Sequence, residues 1–399
     1  MNSPGRIALF LNAAMGGGAE RIVIELGRWL AEHGHPVDLV LAERRGPLLD
    51  LVPESMRVVE LGARSRLATL PSVLRFPLAS QPDLVRMLRR SSVMRSLLPF
   101  AAYLRREQPR ALLTTMAKNA LLSLFARHLA DNDVRLVVRE ANVFSLQFAG
   151  DLSRTNRILR RLAESWYPRA DAFIAISAGV ADDLAATVGV SPDLISMIHN
   201  PVLAERIASQ AREPLDDPWL KPGGPPVLVS AGRLTEQKDF ETLLRAFALL
   251  RRERPVRLIV LGEGRKRSEL EAMCGELEIE HDVSFPGFVR NPHAYIARAA
   301  VFVLSSTWEG FANVVGEALA SGCAVVSTDC PSGPAEILDR GRYGTLVPPR
   351  DVAGLAKAIA ATLDHPPDAE RLRARAREFA PDPIFEQYLA VIAGEPTAG

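Results

Sequence analysis

Residues 301 to 322 read VFVLSSTWEGFANVVGEALASG, and this stretch is the clearest sign of an α/β fold in the chain. The apolar residues 301–304 predict a buried strand. A helix is predicted over residues 312–321, because Gly322 supplies a C-terminal stop. The loop between the two elements carries Glu309. A strand that passes through a short loop into a helix is the repeating unit of a mainly parallel sheet.

The same alternation of short apolar runs and helical segments extends over the whole chain and restarts near its middle. A polar stretch rich in proline, residues 203–226, separates the two series and is typical of a linker. We therefore predict two doubly wound Rossmann-like domains, over residues 1–202 and 203–380, that face each other across a central cleft. A last helix within residues 381–399 is expected to pack back on the first domain. The predicted strands cover residues 6–11, 37–42, 57–61, 110–115, 135–139, 171–176 and 194–198, and then 227–231, 257–261, 283–285, 301–304 and 324–328.

Composition indicates a soluble globular protein. Of the 399 residues 48% are hydrophobic and 24% charged, and the net charge is only +1. No run of 18 apolar residues occurs, and the apolar run 7–11 is too short for a signal peptide, so a buried strand explains it better. The three cysteines are an odd number without metal-ligand spacing, which fits a reducing compartment. These features favour a cytoplasmic location.

The helix that follows the quoted loop is suited to bind a phosphorylated ligand. Its first backbone N–H groups, which belong to Gly310, Phe311 and Ala312, have no partner inside the helix and lie at the positive end of its dipole. Glu309 and Glu317 flank this helix start, and carboxylates accept hydrogen bonds from sugar hydroxyls. The alternative is that both glutamates are ordinary solvated charges, but Glu317 lies near the apolar face of the predicted helix.

A second segment with binding chemistry follows the first strand of the second domain. Residues 227–240 read VLVSAGRLTEQKDF, which places Gly232, Arg233 and Lys238 in the loop after a buried strand. Two cations at the carboxyl end of that strand are suited to bind a diphosphate. A surface salt bridge is the alternative role for either cation.

These segments resemble glycosyltransferase family 4, the retaining group with the GT-B fold, and the resemblance covers most of the chain. It implies that Arg233 and Lys238 bind the diphosphate of a nucleotide sugar. Glu309 and Glu317 resemble the family's Glu-x7-Glu motif, in which the first acid faces the transferred sugar and the second binds the ribose. The resemblance assigns catalytic roles to Arg233, Lys238 and Glu309.

Further loops resemble family segments that contact the donor. By this resemblance the donor-binding residues are Gly17 and Gly18 in the first N-terminal loop, Gly232, Gly262 and Gly264, Phe288 near the base, and Gly310, Phe311, Ala312 and Glu317. Residues 330–338 are similar to members that use UDP-N-acetylhexosamines. The expected reaction transfers a hexose or N-acetylhexosamine from a UDP-sugar to a glycan or lipid-linked acceptor of a cell-surface polysaccharide.

One loop departs from the family pattern. Many members carry a histidine after the fifth strand of the first domain, whereas this chain has Arg139, Glu140 and Asn142 in that region. These three residues are the candidates for contact with the acceptor or the transferred sugar. A solvated loop is the alternative.

No cofactor or metal ion is expected. Residues 16–18 and Glu43 imitate part of a dinucleotide fingerprint, but Arg21 stands where its third glycine would be. Residues 131–133 read DND and imitate a metal-binding motif at the wrong end of the sheet. A sugar-nucleotide epimerase with the GT-B fold and a non-catalytic protein that binds sugar nucleotides remain alternative functions, although an epimerase needs an acid and a base that flank the sugar carbon.

The segment 64–110 is basic, with ten arginines and only two acidic residues. Apolar residues alternate with these arginines, which predicts either an amphipathic surface for an anionic membrane or a solvated basic loop. The apolar residues are Leu67, Leu70, Val73, Leu74, Phe76, Leu88, Met94, Leu97, Leu98 and Phe100. Peripheral contact with the inner face of the cytoplasmic membrane is therefore an expected partnership, and nucleic acid is not.

Overall fold

The computed structural model describes residues 5–63, 69–77, 80–149 and 153–395. The chain divides into two compact units. The first unit comprises Met1–His199 together with Asp382–Gly399, and the second comprises Asn200–Pro381. The sequence had suggested divisions after residues 202 and 380.

The first unit contains a parallel sheet of seven strands in the order β3-β2-β1-β4-β5-β6-β7. Every residue of its interior strand β1 is fully buried. Strands buried on both faces read as continuous apolar runs, which is why the sequence revealed them. The strands are β1 Ile7–Leu11, β2 Val37–Leu41, β3 Arg57–Glu60, β4 Ala111–Thr115, β5 Arg135–Glu140, β6 Ala172–Ala175 and β7 Ile195–Met197.

Helices connect these parallel strands, as a doubly wound sheet requires. They are α1 Gly18–Glu32, α2 Gln81–Arg90, α3 Leu97–Glu107, α4 Ala117–Ala130, α5 Phe144–Ala149, α6 Arg154–Trp166 and α7 Ala178–Val188.

The second unit contains a parallel sheet of six strands in the order β10-β9-β8-β11-β12-β13. Its strands are β8 Val227–Ala231, β9 Arg257–Leu261, β10 Val283–Gly287, β11 Val301–Leu304, β12 Ala324–Thr328 and β13 Thr345–Val347. Its helices are α8 Ala204–Ala211, α9 Phe240–Glu253, α10 Arg267–Glu276, α11 Pro292–Ile296, α12 Asn313–Ser321, α13 Pro334–Ile337, α14 Val352–Asp364 and α15 Ala369–Arg377.

The last helix, α16 (Pro381–Ala393), packs on the first unit from Asp382 onward. The indole Nε1 of Trp29 donates a hydrogen bond to Asp382 Oδ1 at 2.9 Å. Arg139 Nε donates to the Tyr388 hydroxyl at 2.9 Å, and Tyr388 is fully buried. The C-terminal helix is thus part of the core of the first unit.

The basic segment has a different structure from the amphipathic surface that its sequence suggested. Most of its apolar residues lie in the core: Val73, Phe76, Leu88, Met94, Leu97 and Phe100 are buried, and Leu98 is partly buried. Only Leu70 and Leu74 are exposed, at 41% and 78%, on the 3-10 helix Leu70–Arg75. Leu67 lies outside the described residues. The broad membrane surface is therefore wrong for the described residues, because these apolar side chains pack inward.

In the described part of the chain, no helix has the length and apolar character needed to cross a bilayer.

Candidate nucleotide-sugar site

The strand order of the second unit reverses between β8 and β11, which are hydrogen-bonded neighbours. Ligands of doubly wound sheets bind at such a reversal, beyond the carboxyl ends of the strands. The loops that leave these two ends are 232–239 after β8 and 305–312 after β11. They contain the residues that the sequence singled out as the diphosphate and sugar site.

Hydrogen bonds join the two loops to each other. The backbone N–H of Thr307 donates to Gln237 O at 2.8 Å, and the Gln237 side chain donates back to Trp308 O at 2.9 Å. The Ser305 hydroxyl donates to Lys238 O at 2.8 Å. These contacts fix the backbone of both loops and bring Lys238 close to the loop after β11.

Lys238 and Glu309 form an ion pair. The Nζ atom of Lys238 lies 2.5 Å from Glu309 Oε1, and the side chains are only 16% and 9% exposed. The Ser306 hydroxyl donates to the same Oε1 atom at 2.6 Å, and Ser306 is fully buried. A carboxylate buried this far needs such partners, because an unpaired charge is costly away from water.

Arg233 differs from Lys238 in having an exposed side chain. Across the described ranges, its guanidinium makes no hydrogen bond and no ion pair. The positive charge of Lys238 is compensated by Glu309, whereas that of Arg233 is not. Arg233 is consequently the cation at this edge with its charge fully available to an anionic ligand.

Helix α12 begins at Asn313, one residue later than the sequence suggested. Ala312 is the N-cap and has φ 63°, and no side chain caps it. Phe311 and Ala312 are 2% and 6% exposed. Glu317 is partly buried and lies four residues into the helix, about 6 Å along its axis at the usual rise per residue. Glu309, the helix start and Glu317 therefore follow one another along the same loop and helix.

Glycines allow the loops after β8 and β9 to pack backbone against backbone. Gly262 has φ 132°, and a Cβ there would lie 2.0 Å from Gly232 O. A Cβ on Gly264 would lie 2.3 Å from Leu234 O. A Cβ on Gly232 would meet the aliphatic part of the Lys238 side chain at 3.0 Å. Larger residues at Gly262 and Gly264 would displace the backbone of the loop after β8, and one at Gly232 would shift the Lys238 side chain.

Phe288 lies just after β10 and is 74% exposed. Its exposed ring offers a surface on which an aromatic group could stack.

A third loop, after β12, packs on the backbone of Glu309, a contact that was not predicted from the sequence. Glu309 N donates to Pro331 O at 2.7 Å, and Ser332 N donates back to Glu309 O at 2.9 Å. Gly333 has φ 99°, and a Cβ there would lie 2.4 Å from the Phe311 Cα. The signal that could have revealed this contact is Gly333 itself, which follows a proline and a serine directly after β12.

Gly16 and Gly17 precede α1 in the first unit, with Gly18 as its first residue. The backbone N–H groups of Gly16 and Gly17 both donate to Glu20 Oε2, at 2.9 and 3.0 Å. The Glu20 carboxylate thus caps the backbone N–H of Gly17, one of the two glycines that the resemblance assigned to the donor.

The acceptor-side candidates Arg139 and Glu140 end strand β5, and both are fully buried. Arg139 donates to Tyr388 and Thr115, and the Tyr167 hydroxyl donates to Glu140 Oε2 at 3.3 Å. Burial raises the pKa of Glu140 to about 7, against the opposing effect of its hydrogen bonds. Neither side chain lies at the surface of this unit, whereas Asn142 is partly exposed.

Neither a metal centre nor a reactive thiol is evident in the described ranges. No group of three histidine, cysteine, aspartate or glutamate side chains is arranged to hold a metal ion there. Burial raises the pKa of Cys323 and Cys330 to about 12 and that of Cys274 to about 11. Thiols with such pKa values are poor nucleophiles.

Comparison with known families agrees with this geometry. The model described as Glycosyltransferase Family 4 matches residues 16–206, and that of Glycosyl transferases group 1 matches residues 211–379. The lipopolysaccharide core biosynthesis glycosyltransferase LpsE of Rhizobium meliloti is 31% identical over 237 residues, which cover 58% of this chain and 67% of that protein. The chain belongs to glycosyltransferase family 4. The predicted family is therefore confirmed.

A second relative of this family 4 chain comes from Campylobacter jejuni. It is the N-acetylgalactosamine-N,N'-diacetylbacillosaminyl-diphospho-undecaprenol 4-alpha-N-acetylgalactosaminyltransferase, and it is 36% identical over 228 residues. The match covers 57% of this chain and 59% of that enzyme, so the chain spans less than two thirds of its length.

Solved structures show the fold of this family 4 chain. Anabaena HepE in complex with UDP-glucose matches 98% of this chain and 100% of its own, with a TM-score of 0.77 and 20% identity. The apo form of the lipopolysaccharide outer core galactosyltransferase WaaB matches 98% and 99%, with a TM-score of 0.70 and 19% identity. The predicted GT-B fold is confirmed.

Proposed function

We propose that the protein transfers a hexose or N-acetylhexosamine, with retention at the anomeric carbon, from a UDP-sugar to a glycan or lipid-linked acceptor. The observation that carries this proposal is the Lys238–Glu309 ion pair at the reversal of the second sheet, beside the start of α12. This pair places a cation that can bind phosphate in direct contact with a carboxylate that can accept hydrogen bonds from sugar hydroxyls. Family membership and the structural match to a UDP-glucose complex support it.

The nucleotide is proposed to lie along the carboxyl edge of the second sheet. Arg233 and Lys238 would bind the diphosphate, with the backbone at Gly310, Phe311 and Ala312 close by. Glu317 would accept hydrogen bonds from the ribose hydroxyls. Gly232, Gly262, Gly264 and Phe288 would shape the pocket for the base. In this arrangement Glu309 faces the transferred sugar.

Transfer breaks the bond between the anomeric carbon and the diphosphate oxygen, and UDP leaves with the electron pair. The acceptor hydroxyl forms the new bond and releases its proton. Negative charge therefore grows on the diphosphate, and a fixed cation stabilises that charge more in the transition state than in the ground state. Arg233, whose charge is uncompensated in the free protein, is suited to this role. We propose that no metal ion takes part.

The acceptor is proposed to bind the first unit and to belong to surface polysaccharide synthesis. Supporting this, the Campylobacter relative is named for a diphospho-undecaprenol acceptor and the Rhizobium relative for lipopolysaccharide core synthesis. Asn142 remains a candidate for direct contact. Arg139 and Glu140 are buried, so we propose that they stabilise the conformation of the loop after β5 and do not contact the acceptor themselves. Gly17 and Gly18 would contact the donor once Glu20 releases the neighbouring N–H groups.

We also propose that the protein contacts the anionic inner face of the cytoplasmic membrane through the 3-10 helix Leu70–Arg75. In this helix Leu70, Leu74 and the adjacent Arg75 are all exposed. Apolar side chains beside a cation are typical of interfacial binding.

A thermal-shift screen tests the donor. UDP and the UDP derivatives of glucose, galactose, N-acetylglucosamine and N-acetylgalactosamine should raise the melting temperature, because each binds only the folded state. GDP-mannose and NAD serve as controls. A shift with NAD and none with any UDP compound would contradict the proposal. An epimerase would instead convert one UDP-sugar into another without an acceptor. A non-catalytic binding protein would show a raised melting temperature with UDP-sugars but would never consume them.

A further inference from the structure

The Glu309 carboxylate is held at only one of its two oxygens. Oε1 accepts hydrogen bonds from Lys238 Nζ at 2.5 Å and from the Ser306 hydroxyl at 2.6 Å. Within the described ranges no residue donates to Oε2. A carboxylate accepts up to about four hydrogen bonds. Oε2 is not one of the buried side-chain atoms of the described residues that lack a partner, so this oxygen is open to solvent and to a ligand.

The backbone around this carboxylate has little freedom. Pro331 O and Ser332 N bond to the Glu309 backbone at 2.7 and 2.9 Å. The Thr328 hydroxyl donates to Ser306 O at 2.6 Å, which ties Ser306 to the end of β12. Rotation of the Glu309 side chain is therefore the main remaining freedom, and Lys238 and Ser306 restrict it together.

The two side chains that donate to Oε1 differ in whether a bound ligand can draw them away from it. Lys238 has a long flexible stem, and in the proposed function a diphosphate competes for its charge. Ser306 is fully buried, its side chain is short, and its hydroxyl bonds to Glu309. When Lys238 turns to the diphosphate, Ser306 is the donor that keeps Oε1 in place.

We propose that Ser306 is a positioning residue that fixes Glu309 Oε1 so that Oε2 faces the hydroxyls of the transferred sugar. This inference rests on the proposed function, since it assumes a UDP-sugar at this edge of the second sheet. Ser306 then contributes to recognition of the sugar and not of the nucleotide. A residue that only stabilises the fold would affect the binding of UDP and of UDP-sugars equally.

Ser306→Ala and the matched control Ser327→Ala test the proposal. Ser327 is also fully buried, and its hydroxyl bonds only to the neighbouring Thr328 O. Calorimetry would measure the dissociation constants of UDP and of the four UDP-sugars named above. We expect Ser306→Ala to weaken UDP-sugar binding about tenfold, the usual range for a hydrogen bond to a charged group, and to change UDP binding less than about twofold. Ser327→Ala should leave both constants within about twofold.

A double-mutant cycle provides a second readout. In the Glu309→Ala background, Ser306→Ala should have no further effect on UDP-sugar binding, because its partner is gone. An equal loss for UDP and UDP-sugar, or the same loss in both backgrounds, would overturn the proposal. If Ser306→Ala unfolds, Ser306→Cys keeps the size with a weaker donor, and the same criteria apply. Failure of the proposed function would appear in the wild type itself, as an absence of UDP-sugar binding.

Discussion

Replacing Glu140 by glutamine should make the protein more stable at neutral pH than the wild type. The Glu140 side chain is fully buried, and burial raises its pKa to about 7. A glutamine at this position keeps one oxygen for Ala141 N, which donates to Oε1 at 3.2 Å. Its NH2 group replaces Oε2 and can donate to the Tyr167 hydroxyl, which donates to Oε2 at 3.3 Å in the wild type. The substitution removes the ionisable group.

The size of the effect follows from the raised pKa. An exposed glutamate in the unfolded chain titrates near 4.5, so the folded-state value is about 2.5 pH units higher. Between these values the folded state holds the proton and the unfolded state releases it, so the wild type loses stability as pH rises. At about 1.36 kcal/mol per pH unit, the loss reaches about 3 kcal/mol and is complete above pH 7. Below pH 4.5 the cost disappears.

Urea unfolding at pH 5 and pH 8 measures this effect, with tryptophan fluorescence as the probe. The stability advantage of Glu140→Gln over the wild type should grow by about 2 to 3 kcal/mol from pH 5 to pH 8. Any constant cost of the new amide cancels in this difference. Glu386→Gln, an exposed glutamate of the same unit, is the control and should show no growth. An advantage for Glu140→Gln that stays constant within about 0.5 kcal/mol would refute the reasoning.

Two further predictions concern the cations and the membrane. Arg233→Ala should leave the melting temperature unchanged, because its side chain is exposed, but should lower kcat about a hundredfold with little change in donor KM. Lys238→Ala should lower kcat and also stability, by about 3 kcal/mol, since it leaves the Glu309 carboxylate without its cation; an unchanged kcat with only a raised KM in both variants would contradict the mechanism. In flotation at low salt, the wild type should bind anionic vesicles and Leu74→Glu should bind less, whereas equal binding would exclude contact through Leu70–Arg75.

The sequence allowed the strands to be predicted well where they are buried on both faces. β8, β9, β11 and β12 begin and end at the predicted residues. β13 was missed because its three residues, Thr345–Val347, stand between Gly344 and Pro348, in a stretch that reads as a turn. The basic segment was misread, because alternating arginines and apolar residues do not reveal which face is covered by the rest of the chain. Most of its described apolar residues pack inward, and only Leu70 and Leu74 among them are exposed.

The sequence allowed a prediction of which residues belong to the candidate site, because their types and their positions after strands are visible in it. Arg233, Lys238 and Glu309 follow two predicted strands of one domain, and the carboxyl ends of parallel strands lie at the same edge of a sheet. Their relative roles were not predictable, because only the structure shows that Glu309 compensates Lys238 and leaves Arg233 uncompensated. Ser306 was in the quoted stretch but had no visible role, since serines before a helix are common. Its burial and the 2.6 Å hydrogen bond from its hydroxyl to Glu309 Oε1 are the observations from which we infer its positioning role.

The central claim is that this site transfers a sugar, and release of UDP tests it most directly. The protein would be incubated with the UDP-sugar that gives the largest thermal shift and with undecaprenyl-diphosphate-linked glycans, and UDP and product would be measured by chromatography. We predict UDP release that depends on an acceptor, forms one α-linked product and falls at least a hundredfold in Glu309→Ala. Tight binding of UDP-sugars without UDP release on any acceptor, or release that Glu309→Ala leaves unchanged, would contradict the account.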